Sequence, residues 1–262
     1  MLAFAKWATQ DKTEIMPSRF LAATLLALAV VSLPREARAQ TPDADLMKRL
    51  AVHAAHFESM RTRASYTIEG RMENVDGNGN ANVIKELKAH VDADGTIAKV
   101  TVERYTEDGE DKTDEARKKA RDRERKPATA KPKFRMPVLI EEQPRYVFDQ
   151  VEVDGADPSR VRIAFAPKVK DDDTIEGSAW VDTKTGTLIS AGFKLSKTSM
   201  FIDHVNVTVE FGAPTALGPA PSKVVMDGEG GVLFFRKRFR GSMTISQYTI
   251  TGERTSTPLH QR

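Results

Sequence analysis

Five histidines stand in this chain of 262 residues: His53, His56, His90, His204 and His260. His53 and His56 lie three apart in a segment of helical periodicity, a spacing that can bring two imidazoles to one face for a metal ion. No third ligand is indicated, and the spacing is not the i, i+4 pair of the zinc proteases. Asn74 to Gly79 reads N-x-D-x-N-G, like the opening of a calcium loop. The twelfth position is Lys85 instead of the bidentate Glu, and the flanks alternate like strands, so a Gly/Asn hairpin turn accounts for it better. Asp171-Asp172-Asp173 reads as a polar loop. The chain has no cysteine, which excludes disulfides and thiolate metal sites. It has no G-x-S-x-G elbow and no phosphate-binding glycine loop. No catalytic, cofactor or metal residues are assigned, and no enzymatic activity is expected.

One run of charge has the spacing of a binding surface. In Phe234-Phe235-Arg236-Lys237-Arg238-Phe239-Arg240 the even positions Arg236, Arg238 and Arg240 share one face of a strand, and Phe235 and Phe239 share the other. A row of guanidinium groups can hold phosphates, carboxylates or an acidic partner. The alternative is a wet outer face paired with acids such as Glu176 or Glu210.

The elements that would position these groups are mostly strands, and residues 174–211 organise them. Ile175, Ala179 and Val181 fall on odd positions, then Ile189, Ala191, Phe193 and Leu195, then Val205, Val207, Val209 and Phe211. Period two marks strands with one dry and one wet face. Shared parity across the first turn requires an odd loop, met by Lys184-Thr185-Gly186 with Gly186 in the left-handed region. Trp180 falls on the even face near Leu188, which implies internal cover there.

Other strands are expected over 64–72, 83–91, 97–105, 146–153, 161–165, 223–226 and 232–248. Before them, Leu46, Met47, Leu50, Ala54, Phe57 and Met60 form one helical stripe, opened by Thr41 as N-cap and Pro42 at the first helical position, and running to Met60 or Arg61. Residues 107–133 break the strand pattern. Within them, 111–126 carries eight basic and five acidic residues. Mixed signs and no interleaved aromatic make this a solvated, weakly helical insertion and argue against nucleic acid.

Residues 20–33 are an apolar run of 14, too short for a membrane span of about 20. Arg19 precedes the run and Ala37-Arg38-Ala39 follows it, so 1–39 reads as a secretory signal peptide cut after Ala39, with Met1 or Met16 as the start. Its removal takes away five basic and three acidic residues, turning a net charge of +3 into +1. That near-neutral field gives no reason to expect nucleic acid. The product is expected to be periplasmic and not membrane-spanning. Residues 40–250 are expected to form one domain with the charged insertion, and 251–262 a disordered tail.

The layout of signal peptide, one amphipathic helix and a meander, with Gly177-Ser178-Ala179-Trp180-Val181-Asp182 followed by Thr185-Gly186-Thr187-Leu188, resembles the periplasmic lipoprotein-carrier (LolA/LolB-like) family. The resemblance covers about residues 42 to 250. It implies an α+β fold: an unclosed antiparallel β-barrel, here a curved sheet of ten to twelve strands, covered by the N-terminal helix. It also implies an apolar cavity for a lipid or lipoprotein acyl chain, in a carrier or sensor. The residues expected to line that cavity are Leu50, Phe57, Ile189, Phe193, Val207 and Phe235. The alternative is a non-enzymatic module binding an envelope protein through Arg236, Arg238 and Arg240 or through the insertion.

Overall fold

A computed structural model describes residues 40–76, 78–93, 98–124, 135–198, 202–232 and 235–250. All lie in a compact unit that begins at Ala37. The expected signal peptide at 1–39, the expected tail at 251–262 and His260 fall outside the described residues.

Helix α1 spans Ala44–Arg63. Its N-cap is Asp43 and not Thr41: the Asp43 carboxylate accepts from the Asp45 N–H at 3.4 Å, satisfying one of the first-turn donors. The helix runs on to Arg63 and passes directly into a strand at Ala64, whose extended backbone ends it. Eleven strands follow. They are β1 (Ala64–Val75), β2 (Ala81–Ala93), β3 (Ala98–Glu107), β4 (Glu110–Asp111), β5 (Tyr146–Val153), β6 (Arg160–Pro167), β7 (Ile175–Asp182), β8 (Thr187–Leu195), β9 (Ile202–Ala213), β10 (Ala220–Val232) and β11 (Phe235–Ile250). A second helix, α2 (Thr113–Glu124), and a 3-10 turn at Gln143–Arg145 lie between β4 and β5.

The strands make one antiparallel sheet in the order β4-β3-β2-β1-β11-β10-β9-β8-β7-β6-β5. It is not closed: β3 with its short β4 hairpin forms one edge and β5 the other. In sequence, residues 112–145 join β4 at one edge to β5 at the other. At the first edge, Asp108 and Gly109 both take positive φ (53° and 82°), making the two-residue turn that joins β3 to β4. Helix α2 then covers the edge. Arg117 donates from Nε to the Val102 carbonyl at 2.9 Å and from Nη2 to the Glu103 carbonyl at 3.3 Å. Thr113 Oγ1 accepts from the Tyr105 N–H. Edge groups that invite pairing with another chain are thus occupied.

Two departures from plain alternation shape the sheet. The β7–β8 turn holds four residues, not three, since Asp182 pairs with Thr187. Asp182 Oδ1 accepts from the Lys184 and Thr185 N–H groups at 2.8 and 2.9 Å, and Gly186 does adopt φ +70°. The parity is restored further along: Val181 pairs with Leu188 but Trp180 with Ser190, so Ile189 is the extra residue of a bulge. Leu188 consequently packs inside, 2% exposed. Trp180 stays half-buried on the other face, between Arg162 and Ser190 in register. In β10 the glycine-rich 227–231 is strand and fills the gap between the expected strands 223–226 and 232–248. A Cβ on Gly228 would meet the Phe239 ring at 2.5 Å, so the missing side chain makes room for an aromatic from β11.

The core lies in two clusters under α1. Leu46, Met47, Leu50 and Ala54, from its first half, pack with Tyr146, Ile163, Phe165, Ile175, Val181 and Leu188 of β5–β8. Met60 and Ala64, at its end, pack with Ala220 and Ile250, flanked by Tyr66 and Tyr248. The helix is about 30 Å long, and five strand spacings measure about 24 Å. It is thus long enough to cross from β8 to β2, both of which it touches. Among the described residues no helix is long and apolar enough to cross a membrane, a statement that does not bear on strands.

Candidate functional site

Between the two clusters, under the second half of α1, lies a cleft of about 560 Å³. The helix contributes Phe57 and Glu58 to its wall, the turn between Ala54 and Met60. The floor comes from the dry face of the sheet: Ala179 of β7, Leu188, Ala191 and Phe193 of β8, and Val209 and Phe211 of β9. Cross-strand pairing sets that floor, since Ala179, Ala191 and Val209 stand in one row. Two small alanines in the row leave the depth, while Phe193 and Phe211 bound it.

A strap formed by residues 135–145 makes the remaining wall, through Arg135, Met136, Pro137 and Val138. Val138 and Leu139 are themselves buried in the first cluster. Gln143 Nε2 donates to the Val138 carbonyl at 2.8 Å and to the Met47 carbonyl of α1 at 3.3 Å, tying strap to helix. Glu142 is buried between two arginines, Arg135 at 3.2 Å and Arg145 at 2.9 Å. Arg145 reaches on to Asp173 at 2.6 Å, and Arg135 also pairs with Glu141. The guanidinium of Arg145 holds the Asp173 carboxyl below the usual carboxylate range. The strap is thus anchored by alternating charges, not by apolar contact alone.

Aromatic edges fix the helix above the floor. Phe57 and His53 both meet Phe211 edge-on, with centroids 6.0 and 6.2 Å apart. His53 is 5% exposed, and its Nε2 has no partner. Burial, with a smaller contribution from His56, pushes its imidazole below the ordinary histidine value, so it sits neutral in the core. His56 is exposed while His53 is buried. Among the described residues no group of three His, Asp or Glu side chains is placed to hold a metal ion. The Asp76 carboxylate is occupied by the N–H groups of Asn78 and Asn80 at 2.9 and 2.8 Å, the geometry of a turn.

Of the residues expected to line a cavity, Phe57 and Phe193 do so. Leu50 is fully buried in the core beside the cleft. Ile189 is the bulge residue of β8, which removes it from the row of Ala191 and Phe193. Val207 faces Phe193 across β8 and β9 but lines a separate shallow hollow. The side chains of Phe235 and Arg236 lie outside the described residues. Arg238 pairs with Glu229 at 3.0 Å and Arg240 with Glu73, not with Glu176 or Glu210. Glu176 instead bridges Lys170 and Lys194. The lining residues not expected are the strap together with Glu58, Tyr66, Phe165, Ile175, Ala179, Leu188, Ala191, Val209 and Phe211. The strap follows a charged run that carries no periodic signal, and its contacts come from across the sheet. Ala191, Val209 and Phe211 were already visible on the dry face by their parity.

No family model matches the chain, and no curated protein matches it. Among solved structures it is similar to a LolA superfamily protein from Nitrosomonas europaea, at 9% identity over 79% of this chain and 94% of that one, with a TM-score of 0.38. It is likewise similar to a putative outer membrane lipoprotein-sorting protein domain from Vibrio parahaemolyticus, at 11% identity over 80% and 94%, also with a TM-score of 0.38. At such identities and scores neither carries an argument, and function is read from the chain's own residues.

Proposed function

We propose that this protein is a non-enzymatic binding protein that holds one acyl chain, of a lipid or a lipoprotein, in the cleft beneath α1. The observation that carries this reading is the wall itself: of fifteen lining residues, only Glu58 and Arg135 are charged, and the rest are apolar or aromatic. Arg135 is engaged by Glu141 and Glu142, so it is already compensated without a ligand. About 560 Å³ is within the range of roughly 300–1,000 Å³ common for small-molecule sites. Each methylene buried there contributes about 0.8 kcal/mol, so an alkyl chain binds without polar chemistry. Export through a signal peptide at 1–39 to the periplasm completes the reading.

Titration with a fluorescent fatty acid tests it. Saturable uptake at one equivalent, displaced by unlabelled fatty acid, is the expected result. Absence of uptake by protein stripped of lipid would sink the proposal.

A further inference from the structure

The cleft is not equally closed along its length. Its floor can be followed in sheet order from β6 to β9. Phe165 of β6 is 6% exposed, and Ile175 and Ala179 of β7 are each 5% exposed. On β8 the lining passes from buried Leu188 to half-buried Ala191, and on β9 both Val209 and Phe211 are half-buried. The strap repeats the gradient: Arg135 is exposed, Met136 is half-buried, and Pro137 and Val138 are buried. The β6 end is blind. Behind Phe165, Phe148 of β5 stands in register, and its ring centroid lies 6.1 Å from that of buried Tyr146. These rings stop the cleft short of the sheet edge.

Polarity follows the same axis. The two charged lining residues, Glu58 and Arg135, and the one lining hydroxyl, that of Tyr66, all belong to side chains that water reaches. Every buried lining residue is apolar. A polar head placed among those buried residues would lose its water without gaining a partner, which is costly. A methyl end placed there loses nothing, and its burial is most complete where water is most fully excluded.

We infer that the acyl chain lies across the strands with its methyl end on Phe165 and Ile175 and its polar end beside Arg135, and that this blind end sets the longest chain the cleft holds. The inference rests on the acyl-chain reading of the cleft and adds a direction and a length limit to it. Up to the limit each methylene is buried and adds affinity. Beyond it, the methyl end has met the wall, and further methylenes stay in water at the open end and add little. Phe165 and Ile175 thus act as specificity-determining residues, with Ala179 beside them as the small residue that leaves the end open.

Displacement of a fluorescent fatty acid by unlabelled saturated fatty acids of increasing length tests it on the purified protein. Affinity is expected to rise by up to about fourfold per methylene and then to level off. Phe165→Ala, which cuts back the end wall, is expected to move the levelling point to longer chains. Ala179→Leu, which fills the blind end, is expected to move it to shorter ones. Both should leave the gain per methylene below that point unchanged. Melting temperatures show that each variant is folded, and Ala179→Leu decides the matter alone should Phe165→Ala unfold. A levelling point that stays put in a folded variant, or affinity that climbs without limit to the longest chain, overturns the inference while leaving the cleft as the binding site. No uptake of the fluorescent probe by wild type overturns both, so the two failures are told apart.

Discussion

Gly186 combines two constraints in one residue. Its φ of +70° suits only glycine well, and a Cβ there would collide with Arg49 of α1. The contact is reinforced by Arg49 Nη2, which donates to the Thr183 carbonyl at 3.0 Å. Gly79 has a similar φ, +89°, but open space around it. Gly186→Val is therefore expected to cost about 2–4 kcal/mol, and Gly79→Ala about 1–2, as measured by urea unfolding. Equal costs would mean that the β7–β8 turn does not seat the helix. His53 makes a prediction in pH. Its folded pKa lies below the unfolded value of 6.5, so the unfolded chain takes up a proton first. Stability is expected to hold above pH 6.5 and to fall as the pH drops below it, levelling off beneath the folded value. The variant His53→Phe should lose that part of the slope in thermal melts taken between about pH 7 and 5. An unchanged slope would place the effect on other groups.

Among the elements, the strands were the most legible in the sequence. Half-buried valines at 205, 207 and 209 alternate with exposed polar residues as their parity requires. The first helix was legible from its stripe, because Leu46, Leu50 and Ala54 recur at helical spacing and all are buried. What failed was arithmetic that assumes an unbroken period. The bulge at Ile189 consumes one residue, so the four-residue turn and the inward Leu188 both escaped. Asp108-Gly109 is a two-residue turn signal, but it sits at the head of a charged run that drew attention elsewhere. The role of that run is fixed by pairing order, which no local pattern encodes. Here α2 acts as an edge guard, and Arg117 is its main contact with β3 carbonyls. Arg117→Ala is expected to cost only about 1 kcal/mol of stability but to raise self-association, read by light scattering at increasing concentration. A variant that stays monodisperse would show that the edge is protected without it.

At the scale of the whole molecule, one connection and one helix define the site. The sheet is unclosed, and the chain between its two edges returns as the strap that walls the cleft. The helix is packed at both ends, and Phe57 and Glu58 of its second half face the hollow. The hollow exists because Ala179 and Ala191 are small where their neighbours are large. Filling it should abolish binding while leaving the fold intact. The most direct measurement is mass spectrometry of the organic extract from purified wild-type protein and the Ala191→Phe variant, with fatty-acid uptake measured on both. Wild type is expected to carry or take up about one acyl chain, and the variant to bind at least about tenfold more weakly at an unchanged melting temperature. Wild-type protein that neither carries nor takes up lipid, or a well-folded variant that binds as well as wild type, would contradict the assignment of the cleft.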